Sequence, residues 1–244
     1  MPRWLALGFQ DRGSLAIIEL SYLHDHVIII IVRVIILISY VITYMLVSKH
    51  SYKFLSEGTL IETIWSIVPA GLLIVLVVPS IKVLYLIEDT DTPSLSIKVL
   101  AHQWYWTLEW TLLRCFSFYH NSSIILDTID ELSISSYSDR IIYLSDSCVR
   151  ASLPVNRTSR LLISSTDVIH AFAIPGLGLK VDAVPGRINQ LLTTPCLSGV
   201  YYGQCSEICG ANHSFIPIRI NICSPSIFKL EGELFLIDLL STRN

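Results

Sequence analysis

Charge is what this 244-residue sequence has least of. Asp, Glu, Lys and Arg make up 15% of it, against roughly a quarter in an ordinary soluble domain. With a mean hydropathy of +0.59, that excludes a disordered chain, which needs low hydrophobicity and high net charge, and it speaks against a simple soluble globule. Neither sign of charge is in large excess. Seventeen basic and 20 acidic residues leave a net −3, which is not the electrostatic footprint of a nucleic-acid binder. Dinucleotide and phosphate-loop glycine motifs are missing, as are internal repeats. Six cysteines are too few for a disulfide scaffold in a chain of this length, which favours metal or incidental roles. Methionine is nearly absent: only Met1 and Met45 occur, beside 34 isoleucines.

The apolar residues that are present are unevenly placed. Val27–Val47 is a 21-residue run broken by one charge, Arg33, and Thr63–Ile81 is a 19-residue run with none. A helix needs about 20 apolar residues to cross a hydrocarbon layer of roughly 30 Å, so both runs predict membrane spans. Two such runs in a chain with so few charges leave little room for buried helices of a soluble core. Pro69 and Pro79 are tolerated in a membrane helix, and Arg33 lies close enough to the start of its span to snorkel. The loop from Ser48 to Glu62 carries Lys49 and Lys53, whereas Glu88, Asp89 and Asp91 follow the second span. The positive-inside rule then puts the loop on the inner side and both termini, including residues 1–26, outside.

From residue 88 the character changes, with 11 basic and 15 acidic residues. Short β-branched and aromatic runs, among them SIKVLAHQWYW, RIIYL, RLLIS, VIHAFAI, INQLL, GVYYG and FIPIRINI, alternate with Pro, Gly, Ser and Asn. Such punctuation predicts a β-sandwich or barrel. Ser224 and Pro225 then suit the cap and first turn of a C-terminal helix. The expected fold is an α+β membrane protein: a two-helix transmembrane hairpin (27–87) followed by an external β-domain (88–244).

The sharpest chemical signal is Cys205-Ser-Glu-Ile-Cys209-Gly-Ala-Asn-His213. Cysteines four apart and a histidine four further on can converge if the segment is a compact loop. Upstream, Asp167-Val-Ile-His170 offers a second histidine, expected at the end of a strand, where a β-sandwich could bring it beside the loop. Thiolates and imidazoles together suit copper, two of each also suit structural zinc, and in an oxidising compartment Cys205 and Cys209 could form a small disulfide. The spacing favours a metal.

The motifs YYGQCSEICGANHSF, DVIHAF, GLGLKVDAVPGR, AHQWYW, ETIWSIVPA and LGFQD with His24-Asp25-His26 closely resemble those of subunit 2 of cytochrome c oxidase, in order from residue 7 to about 220. The resemblance implies a cupredoxin-like domain holding a dinuclear copper A centre. Cys205 and Cys209 would be bridging thiolates, His170 and His213 terminal ligands, and the Glu207 carbonyl a weak ligand. The Glu207 side chain would reach a magnesium ion shared with the haem-bearing catalytic subunit. Trp104 would receive electrons from cytochrome c, and Glu62 would stand at the entrance of a proton path. The lopsided isoleucine-to-methionine balance and the short amino-terminal segment favour a mitochondrial inner membrane over a bacterial plasma membrane, with the copper domain in the intermembrane space. A copper-free quinol-oxidase-type subunit is disfavoured by retention of all four side-chain ligands. A nitrous oxide reductase would need a further domain.

Two departures stand out. The family has a methionine ligand where Ile216 stands. Several mitochondrial codes read as methionine a codon that the standard code reads as isoleucine, so the isoleucine excess points to methionine at 216 in the native protein; a genuine substitution, or methionine restored by transcript editing, are the alternatives. The stretch Thr111–Tyr119, usually acidic, carries Arg114 and Cys115 instead, with only Glu109 nearby. This predicts weaker salt dependence of donor docking. Cys115, Cys148, Cys196 and Cys223 match no ligand position and read as small buried hydrophobes, and His102 reads as ordering its strand or an interface with a neighbour.

Overall fold

The computed structural model describes residues 8–50, 57–88, 92–112, 116–122 and 151–232. Two long helices come first, α1 (Leu15–Val47) and α2 (Thr59–Glu88). Both are long and apolar enough to cross a membrane, and along their apolar stretches large side chains such as Ile36, Leu46, Leu73 and Ile74 are exposed. In water that would be untenable. In lipid it is the expected state, because a helix satisfies its own backbone polar groups and hydrocarbon solvates the rest. Pro69 and Pro79 lie inside α2, and Glu62 sits in its first turn, where a carboxylate complements the helix dipole.

Each helix is longer than its apolar run. The 33 residues of α1 rise about 50 Å at 1.5 Å per residue, and the helix begins where Ser14 can cap it. The Ser14 hydroxyl accepts the Ile17 N–H at 3.4 Å and donates to the Leu177 carbonyl at 2.6 Å. Residues 8–18, the first turn of α1 included, therefore group with the β-domain. The Gly13 N–H donates to Gly176 O, the Cys196 N–H donates to Gly13 O, and Ile17 is 1% exposed.

Among the described residues the β-domain is two five-stranded sheets. The first orders β3 (Phe116–Ser122), β2 (Tyr105–Leu112), β1 (Leu95–His102), β5 (Ser159–Ser165) and β8 (Asn189–Thr193). The second orders β4 (Ala151–Pro154), β10 (Pro217–Cys223), β9 (Gly199–Cys205), β6 (His170–Ile174) and β7 (Leu179–Ala183). Pairs β1–β5 and β4–β10 are parallel and the others antiparallel. Along β5 burial alternates residue by residue, with Leu161 and Ile163 fully inside, as a half-buried strand of period two requires. Ile97, Val99, Trp106, Phe172, Ile218 and Ile220 fill the core. Trp106 meets Phe172 edge-to-face at 5.2 Å and 86°, a geometry worth about 1 kcal/mol beyond area burial.

One run departs from the sequence expectation. SIKVLAHQWYW is not a single strand: it folds back at Gln103–Trp104, whose peptide bond is cis, into a β1–β2 hairpin with His102 paired to Tyr105. RIIYL lies outside the described residues, as do Arg114, Cys115 and Cys148. Residues 225–232 are helical, and the Ser224 side chain accepts the Ile227 N–H at 3.4 Å.

Candidate metal centre

Three segments build the site: the start of β6, the loop between β9 and β10, and the β1–β2 turn. β6 places His170 inside the domain at 0% exposure, edge-on to Trp106 at 5.9 Å. β9 delivers Cys205, and the loop that follows returns Cys209 and His213 toward it. The donor atoms form a chain: His170 Nδ1 to Cys205 Sγ at 3.8 Å, Cys205 Sγ to Cys209 Sγ at 3.9 Å, and Cys209 Sγ to His213 Nδ1 at 3.5 Å. The sulfurs are free thiols and not a disulfide. The donors of His170, Cys205 and Cys209 all lie within 4.8 Å of one another.

Electrostatics explain why such a cluster calls for a cation. Burial, then the adjoining Cys205 sulfur, push the Cys209 thiol up to about 12. Ionising that thiol at neutral pH needs a positive charge beside it. Two soft sulfurs flanked by two imidazole nitrogens suit copper.

Asp167 was not singled out as a site residue by sequence reasoning, yet it organises the cluster. Its Oδ1 lies 2.9 Å from His170 Nε2. The Val168 N–H donates to Oδ1 at 2.6 Å, the Gln103 N–H to Oδ2 at 2.6 Å, and the Ser165 hydroxyl to Oδ1 at 3.2 Å. Burial opposes ionisation of this carboxyl, but hydrogen bonds from His170, Val168, Gln103 and Ser165 outweigh it and hold it below its ordinary range. A carboxylate there accepts the Nε2 proton, which leaves the Nδ1 lone pair of His170 facing Cys205. The available signal was the D-x-x-H spacing, a carboxylate three residues before a candidate ligand.

The other expected residues fall as follows. Glu207 is exposed, and its carbonyl oxygen lies 3.4 Å from Cys205 Sγ. Ile216 is 1% exposed, and its carbonyl accepts the Cys205 N–H at 3.2 Å, so its backbone braces the site while its side chain offers no donor. Trp104 is half-buried against Gly210. Glu62 lies in α2, exposed. His102 bonds Thr166 at 2.9 Å and stacks on Tyr105 at 4.5 Å, and burial lowers its pKa. Cys223 is buried and Cys196 half-buried. Glu109 pairs with Lys98 at 3.2 Å, so this carboxylate is already partnered.

Comparison with known proteins agrees with both halves. Residues 2–83 match the family model for the transmembrane domain of cytochrome c oxidase subunit II, and residues 95–223 that for its periplasmic domain. Cytochrome c oxidase subunit 2 of Branchiostoma floridae is 42% identical over 223 residues, covering 91% of this chain and 93% of that protein. The Branchiostoma lanceolatum protein is equally similar, with 90% of its length covered. The crystal structure of the periplasmic domain of subunit II of cytochrome oxidase from Bradyrhizobium japonicum superposes with a TM-score of 0.50 at 32% identity, over 60% of this chain and 96% of that one. The chain thus belongs to the cytochrome c oxidase subunit II family and is the electron-transferring, membrane-anchored subunit of a haem–copper oxidase.

Proposed function

We propose that His170, Cys205, Cys209 and His213 hold a dinuclear copper A centre, with the Glu207 carbonyl as a weak ligand. The unbroken Nδ1–Sγ–Sγ–Nδ1 chain of 3.8, 3.9 and 3.5 Å carries this reading. Bound there, the copper pair would supply a one-electron couple whose charge is shared over both ions. Everything else is the protein's work. Asp167 keeps the His170 proton on Nε2 and its lone pair on Nδ1. The strands that carry His170 and Cys205 are fixed by the core, so the donors need move little between redox states. Ile216 and Trp106, both buried, exclude water from the inner side.

The finer assignments rest on the family resemblance. Trp104 receives the electron from a cytochrome c, the Glu207 side chain helps hold magnesium against the catalytic subunit, and Glu62 stands at a proton entrance. The Branchiostoma relatives favour the mitochondrial inner membrane, with residues 88–244 in the intermembrane space. At position 216 we propose methionine in the native protein, and the mass of the native peptide spanning it decides that: an isoleucine mass ends the idea. For the centre itself, the full-length chain in its oxidase should contain two copper ions beyond those of the catalytic subunit. One ion, or zinc in their place, would contradict the reading.

A further inference from the structure

We propose that Gln103 and Gly210 are positioning residues that hold the Trp104 indole against the copper loop; this rests on the reading of Trp104 as the point of electron entry. The Gln103 side-chain amide donates to the Cys209 carbonyl at 2.9 Å, and its backbone N–H donates to Asp167 Oδ2 at 2.6 Å. Asp167 in turn holds His170 at 2.9 Å. The residue directly before the indole is thus bonded toward two different ligands of the centre. Across the gap, Gly210 supplies the space. A Cβ there would lie 3.2 Å from Trp104 Nε1, 3.3 Å from its Cζ2 and 3.3 Å from Gln103 Nε2. The backbone at Gly210 has φ +134°, which also favours glycine.

Trp104 Nε1 is buried without a hydrogen-bond partner among the described residues. Packing on Gly210 and the Gln103 clamp therefore fix the ring, in place of a bond of its own. The indole thus lies just beyond the space a side chain at Gly210 would take, and a single peptide separates Gly210 from Cys209. The transfer concerned is one electron, which a one-electron donor would give up and the metal group held by His170, Cys205, Cys209 and His213 would take, with no proton needing to move. A ring that loses its clamp loses the contact through which that electron couples.

The experiment uses the intact oxidase with its cytochrome c, comparing native protein with Gln103→Leu, Gly210→Ala and Trp104→Phe. Flash-initiated electron entry within the docked pair is read beside the copper electron paramagnetic resonance spectrum, the midpoint potential and the donor Kd. Gln103→Leu keeps the bulk and removes the amide donor. It should slow entry roughly tenfold or more, the scale of a small misplacement at a reacting centre, while spectrum, potential and Kd stay native. Gly210→Ala should slow entry as well. A native rate in Gln103→Leu, or a rate loss matched by a changed spectrum or potential, overturns the inference. If Trp104→Phe slows entry and Gln103→Leu does not, only this inference fails. If Trp104→Phe leaves entry native, the reading of Trp104 fails and this inference fails with it.

Discussion

His170 and His213 each turn Nδ1 toward a thiol, but opposite kinds of structure hold them. His170 opens a core strand, has no exposed surface, leans on Trp106 and is bonded by Asp167. His213 starts a single 3-10 turn in a loop and is half-buried; its N–H donates to Gly210 O at 3.2 Å, and among the described residues its ring approaches only Cys209. The strand half of the site is set by the fold itself. The loop half is set by a short segment whose donors have fewer other reasons to stay in place. A centre built this way has one rigid wall and one that the metal helps to close.

The sharpest way to break that comparison removes a sulfur shared by both halves. Cys209→Ser should abolish the dinuclear centre altogether, leaving at most a single-ion spectrum. Next come the two histidines. His170→Asn should lose the centre and also cost the copper-free chain about 1–3 kcal/mol, because it leaves Asp167 and a buried pocket unsatisfied. His213→Asn should lose the centre with little change in thermal unfolding of the copper-free chain. Equal stability losses in the two variants would erase the distinction.

Removing only the brace is a milder change. Asp167→Asn should weaken copper binding by roughly tenfold to a hundredfold, the usual effect of losing a ligand's hydrogen-bond partner, measured by competition with a chelator. The carboxyl is held below its ordinary range, so its contribution is complete at neutral pH and is lost only as pH falls through that depressed value. Imidazole resonances of the copper-free chain should keep His170 ordered down to about pH 4. Disorder setting in near pH 6 would show that the carboxylate is not the anchor.

The thiols give a test with the opposite sign. Cys209 keeps its proton until about 12 in the metal-free state. Copper uptake at pH 8 should therefore release that proton into weakly buffered solution, and uptake without proton release would contradict the cluster's electrostatics. The smallest effect belongs to Ile216→Met. The buried side chain lies beside the site without donating to it, so a thioether there should shift the midpoint potential while leaving the two-copper signature intact.

Much of this was legible in the sequence, for physical reasons that differ by region. Lipid imposes one strong condition on a span, continuous apolarity, so both helices could be read from composition alone. Their ends could not, because α1 starts at the cap that Ser14 provides and not where the hydrocarbon begins. The ligands were legible because soft donors at short spacing are rare. Asp167 was hidden because its role depends on amide and hydroxyl donors brought from Gln103, Val168 and Ser165. The hairpin at Gln103–Trp104 was hidden for a related reason. It contains none of the residues that usually mark a tight turn, and tertiary hydrogen bonds to Asp167 and Cys209 fasten it instead.

The most direct measurement is the electron paramagnetic resonance spectrum of the oxidised, intact oxidase containing this chain with Ile216 as it stands. A hyperfine pattern from one electron shared equally by two copper nuclei is the predicted result, and it would mean that His170, Cys205, Cys209 and His213 suffice. A single-copper pattern, or no copper signal from this subunit, would contradict the account at its centre.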